Sequence, residues 1–382
     1  MAKIFDGHLH TFRFKVPVRE SIDLFKRQFE RFGVEKGTFL ALPCDPAYGR
    51  TGLEVTDPID NVRAMYFKAV FAPNFYAYAG LEYAHLDLTD KKAVADDLLR
   101  QVQEYKAMGF DGMKMYEGHP NMRMVLGYSL DDEVYDKYYD FCEKEGFPIL
   151  MHLANPPYMW VKEMVSEYWR NRGCYFDPAI FPTFEDFHTE ILKRLEKNPN
   201  LKFALAHWGF MTFNKPALEK FMSYPNTILD VCPGGDNFTE AGKDTEYYKE
   251  FLEKYADRIT YGTDSYNFEY DKEETWLRGT GARPTLVQTF FNTDEEFAYA
   301  GSTIKGIKVS EETKEKIFYQ NLCDLLGEPN AINFDYFIGK CVALIKAFEP
   351  KDFEYYNLWC MKNDFEEMRD KGYLPYINPT KL

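Results

Sequence analysis

Apolar positions along the chain follow two alternating patterns. Short, almost wholly apolar runs are separated by longer stretches in which apolar residues recur every three or four positions. The first pattern is that of buried strands, the second that of amphipathic helices. Lys3 to Phe5 predicts a short opening strand. Gly37 to Pro43, Asn74 to Gly80, Asp111 to Tyr116, Pro148 to Leu153, Leu201 to His207, Thr227 to Val231 and Arg258 to Thr263 predict seven more. Helices are expected between them, over 19–32, 59–71, 91–108, 131–145, 185–197, 215–222 and 246–255. The clearest is 91–108, where Val94, Leu98, Val102, Tyr105 and Met108 share one face and Gly109 stops the helix. Further helices are expected over 282–291 and 311–326. The second of these has Ser310 as N-cap, Glu311 and Glu312 in its first turn, and Gly327 just past its end.

Strand followed by helix, eight times over, predicts a parallel sheet, and eight such units predict an α/β fold closed as a (β/α)8 TIM barrel over residues 1–327. An open, doubly wound sheet is the structural alternative. It lacks its usual glycine-rich phosphate loop, since Gly7 is followed by His8. Residues 155–182 form a long insertion rich in Trp, Tyr and Pro. Residues 328–382 are read as a helical C-terminal extension packed on the barrel, with Phe334, Tyr336, Phe337, Tyr355, Tyr356 and Trp359 on its faces.

Composition narrows the function classes. At 382 residues and 45% hydrophobic content the chain can bury a large core. A formal net charge of −15 leaves no basic surface for nucleic acid or for anionic membranes. The seven cysteines are scattered and form no C-x-x-C pair, which excludes a cysteine-type zinc site and suits a reducing compartment. No signal peptide is read ahead of the first strand, and no run of 18 apolar residues occurs. The expectation is a cytoplasmic protein acting on a small molecule, with no nucleic-acid or membrane partner and a homo-oligomer left open.

Only seven histidines occur, and four fall at expected strand ends. His8 and His10 lie two apart on the first strand and so project to the same side. Two imidazoles placed this way can hold one metal ion through neutral nitrogens. His152 closes the fifth strand, His207 the sixth, and Asp264 follows the eighth. The C-terminal ends of barrel strands are where such folds build active sites.

The stretches Phe5-Asp6-Gly7-His8-Leu9-His10, His152, Ala206-His207-Trp208-Gly209 and Gly262-Thr263-Asp264 together resemble the amidohydrolase superfamily. Within it they look most like the amidohydrolase-related, aminocarboxymuconate-semialdehyde-decarboxylase-like barrels. Phe184 to Gly209 and Lys314 to Asn321 extend the resemblance, which covers about residues 1–327. It implies His8, His10, His152 and Asp264 as ligands of one divalent metal, Zn2+ first, with Mn2+, Fe2+ or Co2+ also suited to the donors. It implies His207 as a catalytic group beside the metal and Asp264 as a proton acceptor. Binuclear relatives carry a carbamylated lysine or a glutamate on strand four, so Lys114 or Glu117 could bridge a second metal. The simpler expectation is one metal, with Lys114 paired to a carboxylate. Asp6 is expected to back a ligating histidine or to hold the strand-end turn. His85, His119 and His188 match nothing and are read as surface or structural.

Related barrels cleave C–N or C–O bonds, and some decarboxylate. The loops here are rich in aromatics and arginine, which points to a small, ring-bearing carboxylate substrate contacted by Arg50, Tyr158, Trp160 and Trp208. The leading expectation is a metal-dependent hydrolase. The alternative is a metal-dependent decarboxylase of a small aromatic or unsaturated carboxylic acid. A non-catalytic binding barrel is the third reading, and the filling of all five site positions argues against it.

Overall fold

Eight parallel strands pair in sequence order in the computed structural model, which describes residues 3–11, 17–43, 59–234, 236–266, 280–350 and 352–372. They are β1 (Ile4–His10), β2 (Val34–Leu40), β3 (Phe75–Ala79), β4 (Gly112–Gly118), β5 (Ile149–Leu153), β6 (Phe203–Leu205), β7 (Thr227–Asp230) and β8 (Ile259–Thr260). The β8 end meets β1 through Gly7 N–H to Tyr261 O (3.0 Å) and His10 N–H to Ser265 O (2.9 Å), which brings the sheet round into a TIM barrel. A strand covered on both faces reads as an unbroken apolar run, which is why these segments are legible.

Side chains fill the barrel. Leu40, Tyr78, Leu150 and Ala204 pack in one internal layer, and Phe5, Tyr76 and Leu322 in another. Outside the wall, Phe25, Phe39, Phe67, Phe71 and Phe75 mesh at centroid distances of 5.1 to 5.6 Å along several pairs. Such rings contribute area and edge-to-face contacts together.

Several expected boundaries move. β1 runs on through His10, while β6 ends at Leu205 and β8 at Thr260. The helix expected over 131–145 opens with a tight turn at Glu133–Tyr135, capped by Asp132 on the Val134 N–H (3.0 Å), and its α-helical part is Asp136–Lys144. The helix expected over 311–326 is interrupted by a wide π turn at Lys316–Gln320. That turn lets Ile317 O accept from Tyr261 N–H (2.9 Å), so the interruption pins the helix to the end of β8. A hairpin of Glu296–Tyr299 with Ser302–Lys305 was not anticipated; its turn uses Ala300 and Gly301, both at positive φ.

The C-terminal helices Phe334–Ile345 and Phe353–Lys371 pack on each other and on the barrel helix Asp60–Val70. Tyr66 and Phe365 meet at 5.7 Å, and Phe337 and Phe365 at 5.8 Å. Buried charges lie in the same interface. Arg63 Nη1 is 3.3 Å from Glu354 Oε2, and the Tyr66 hydroxyl donates to Asp364 (2.6 Å). Among the described residues no helix is long and apolar enough to cross a membrane.

Candidate active site

β1 delivers His8 and His10 to its C-terminal end, and the partners of each ring fix its tautomer. His8 Nδ1 lies 2.6 Å from Asp230 Oδ2 at the end of β7. His10 Nδ1 lies 3.1 Å from Leu40 O, which can only accept. Each Nδ1 therefore carries the proton, and each Nε2 presents a lone pair. These two Nε2 atoms stand 3.1 Å apart. Asp264 Oδ1 joins them, 3.2 Å from His10 Nε2 and 3.5 Å from His8 Nε2. Three acceptors this close repel unless a cation lies among them. Ligands roughly 2.0–2.2 Å from one ion stand roughly 3.0–3.6 Å apart, so the spacing fits a divalent metal.

Asp6 serves the backbone here and touches neither ring. Its carboxylate accepts from the N–H of His8 (3.1 Å) and from the N–H and hydroxyl of Thr263 (3.1 and 2.6 Å), tying β1 to the β8 end. Burial pushes its pKa up to about 7. The carboxylate that orients an imidazole is Asp230, whose pKa burial likewise raises to about 7. Its other oxygen accepts from Cys232 N–H (3.0 Å). Lys114, on the inward face of β4, brings Nζ to 3.3 Å from His8 Nε2, and burial lowers its pKa.

Among the described residues two triads of ligand-type atoms lie within 4.8 Å of one another: His8, His10 and Asp264, and His8, His207 and Cys232. His152 belongs to neither. Its ring packs against Tyr116 (5.1 Å), His119 (5.4 Å), His207 (4.9 Å) and Phe210 (5.6 Å). Its Nε2 is buried with no hydrogen-bond partner among the described residues. An unsatisfied buried nitrogen is costly, and at this position it is a donor atom available to a cation or substrate.

His207 sits in an unusual turn. His207, Trp208, Gly209 and Phe210 all have φ between 52° and 58°, a single left-handed turn at the end of β6. For residues with a Cβ this conformation costs roughly 1–2 kcal/mol each. Surrounding bonds hold it: His207 Nδ1–H to Pro233 O (3.0 Å), Asn237 Nδ2–H to His207 O (2.7 Å) and His188 Nε2 to Gly209 O (2.9 Å). Gly234 is required here, because a Cβ on it would stand 2.5 Å from His207 Nδ1. Ala154 (φ 57°) and Asp264 (φ 53°) add strained residues after β5 and β8, so the strain collects at the rim. With Nδ1 protonated toward Pro233, His207 Nε2 is left as an acceptor. Burial lowers its pKa to about 4, which keeps the ring neutral at pH 7.

Asp264 Oδ2 and its backbone oxygen both receive Arg283 Nη1. Burial opposes ionisation of Asp264, but the Arg283 charge beside it outweighs burial and holds the carboxyl well below the usual range. At 3.2 Å from His10 Nε2 and 3.5 Å from His8 Nε2, Asp264 Oδ1 can share one cation with both rings.

Other expectations need correction. Glu117 does not face the site. Alternation along β4 turns it outward, where it accepts from the Tyr83 hydroxyl (2.8 Å) and the Tyr116 N–H (2.7 Å). Trp208 is fully buried against Phe238 and Tyr248, both at 6.1 Å, because the left-handed turn sends it into the core. Trp160 donates to Pro182 O (2.8 Å) and packs on Phe176 at 4.8 Å, which folds the 155–182 insertion on itself. Tyr158, half-buried, meets Phe213 at 6.4 Å. Arg50 lies outside the described residues. His119 is buried beside His152, stacked on Tyr116 at 4.7 Å, and burial lowers its pKa to about 3. His85 is exposed and paired with Asp97 (3.0 Å).

Sequence reasoning missed Asp230 and Arg283. Asp230 had a signal, since it closes the apolar run Thr227-Ile228-Leu229 just as Asp264 follows the eighth. Arg283 had none: it starts a helix 19 residues beyond Asp264 and reaches the site only through the fold.

The family model described as Amidohydrolase matches residues 41–327. Among solved structures, an uncharacterized TIM-barrel protein from Bordetella bronchiseptica is 15% identical, over 85% of this chain and 98% of that one, with a TM-score of 0.51. A 2,6-dihydroxybenzoate decarboxylase from Rhizobium is 18% identical over 85% and 99%, with a TM-score of 0.49. A dihydroxybenzoic acid decarboxylase from a Polaromonas species, with bound manganese and 2-nitroresorcinol, is 17% identical over 85% and 97%, with a TM-score of 0.47. No curated protein matches the sequence.

Proposed function

The chain belongs to the amidohydrolase family, and from that premise we propose that it is a metal-dependent hydrolase of C–N or C–O bonds in a small molecule. His8, His10 and Asp264 hold one divalent cation, with His152 beside them as a further nitrogen donor. The observation that carries this reading is the convergence of His8 Nε2, His10 Nε2 and Asp264 Oδ1 at 3.1 to 3.5 Å, with both ring protons committed elsewhere. Imidazoles and a carboxylate suit Zn2+ first, and Mn2+, Fe2+ or Co2+ after it. Such a cation supplies the charge that makes a water acidic near neutral pH and polarises a substrate oxygen.

The chain's own groups supply the rest. Neutral His207 takes the water's proton at Nε2, and its Nδ1–H bond to Pro233 holds the ring for that transfer. Asp230 fixes His8 in the ligating tautomer. Lys114 Nζ lies 3.3 Å from His8 Nε2 and adds positive charge on the β4 side of the cluster.

The second reading is decarboxylation of a small aromatic or unsaturated acid, which the same cluster of His8, His10 and Asp264 would serve equally. Incubating metal-loaded protein with a panel of amides, lactones and aromatic acids, with acid release and CO2 release monitored together, separates the two. Acid release without CO2 supports hydrolysis, and CO2 release moves the assignment to decarboxylation. Equal turnover by metal-free protein contradicts both.

A further inference from the structure

His188 has a carbonyl oxygen on each side of its ring. Nδ1 lies 2.8 Å from Phe184 O, one turn back in the helix Phe184–Lys197. Nε2 lies 2.9 Å from Gly209 O, in the left-handed turn that carries His207. A carbonyl oxygen only accepts, and a neutral imidazole has one N–H. A neutral ring therefore makes one of these bonds and sets a lone pair against an oxygen at the other. Only the imidazolium, a donor at both nitrogens, satisfies the two contacts together.

The surroundings divide over that charge. Burial of the ring opposes it, while the two carbonyls and Glu185 favour it, and the balance lies below the ordinary histidine pKa. The Phe184 ring, with its centroid 4.3 Å from that of His188, is close enough to attract a cation. Asp186, also in the first turn, is engaged in the helix cap with Thr183. From the turn, His207 directs Nδ1 to Pro233 O, and Trp208 and Phe210 carry no charge. The second bond is thus made in mildly acidic solution and given up as pH rises.

This bond joins a firm element to a strained one. The helix start is fixed by its capping box and by Trp160, whose ring lies 5.9 Å from Phe184 and 6.2 Å from Phe187. The turn holds four successive residues at φ of 52° to 58°, a conformation that persists only where neighbours impose it. Gly209 is two residues from His207, so what grips its oxygen also sets the imidazole.

We propose that His188 is a positioning residue for His207: protonated, it clamps the left-handed turn to the helix through both ring nitrogens, and neutral, it releases one of the two bonds and loosens the turn. The clamp serves hydrolysis and decarboxylation alike.

The test is NMR of protein labelled with nitrogen-15 histidine, joined to hydrogen–deuterium exchange of the amides of 207–210, across the pH values at which the chain stays folded. The His188 ring, assigned by its contact with Phe184, should pass from one protonated nitrogen to two on the acid side of free histidine. Protection of the 207–210 amides, corrected for the intrinsic pH dependence of exchange, should rise on the order of fivefold through the same midpoint, because a bond from a charged donor is gained. His188→Gln keeps one donor and cannot titrate, so it should abolish that step. A histidine that is merely structural would leave the step in place and lower protection equally at every pH. The wild-type measurements need no variant to fold. A His188 that keeps one bare nitrogen at every such pH overturns the proposal. Wild-type protection without a step, or a step that survives in His188→Gln, overturns it as well.

Discussion

His8 and Asp230 meet over Gly262, with 2.6 Å between Nδ1 and Oδ2, although β8 lies between their two strands in the sheet. A Cβ on Gly262 would stand 2.4 Å from Asp230 Oδ1 and 2.8 Å from His8 Cβ, so only glycine admits the contact. Asp230→Asn can present an N–H to the ring, which destroys the tautomer preference. Loss of such a partner typically costs 10- to 100-fold in metal affinity. Competition with a chelator should show a drop of that order, with the far-ultraviolet spectrum unchanged. Unaltered affinity would make Asp230 a packing residue.

His207→Asn should retain metal and lose roughly 10²- to 10⁴-fold in turnover, the usual worth of a positioned acid or base. Metal content and turnover on the substrate found by screening decide it. Metal lost in step with activity would make His207 a ligand, in line with its place in the second triad with His8 and Cys232.

Much of this architecture was legible before the fold was known, because buried strands read as apolar runs and site residues sat at their ends. His8, His10 and Asp264 came together as a ligand set for that reason. Trp208 did not behave as its neighbour His207 suggested. A strand continuing through 206–209 would place them on opposite faces of one strand, whereas the left-handed turn sends Trp208 into the core. Glu117 was misplaced because three residues from Lys114 means the opposite face of β4. Arg283 depends on a loop returning to the rim, and nothing local encodes that.

Glu117 predicts a pH dependence of stability. Burial raises its pKa from the ordinary 4.5 to about 7 in the folded chain. The folded state therefore binds the proton more tightly than the unfolded state does. The contribution of Glu117 is fully present below about pH 4.5 and is lost as pH rises through about 7, a change on the order of 3 kcal/mol. Asp6 and Asp230 act in the same sense. Glu117→Gln, which imitates the protonated acid, should flatten part of the decline in urea-unfolding free energy between those pH values. A variant as pH-sensitive as the wild type would refute this.

Glu354 predicts the weight of the C-terminal helix. It is 2% exposed against a fully buried Arg63, and Asp60, 3.5 Å from Arg63 Nε, accepts from Leu42 N–H (2.7 Å) just past the carbonyl that holds His10. Removing one member of a buried ion pair costs roughly 3–5 kcal/mol. Glu354→Ala should lose stability of that order in denaturant titration. A loss under about 1 kcal/mol would show that solvent reaches the pair.

The central claim is that His8, His10 and Asp264 hold a divalent cation. Metal analysis of wild-type protein and of His8→Ala, each exposed to excess zinc and desalted, tests it most directly. The account predicts about one ion per chain in the wild type and almost none in the variant, with both chains equally folded. Equal zinc in the two proteins, or none in either, would contradict it.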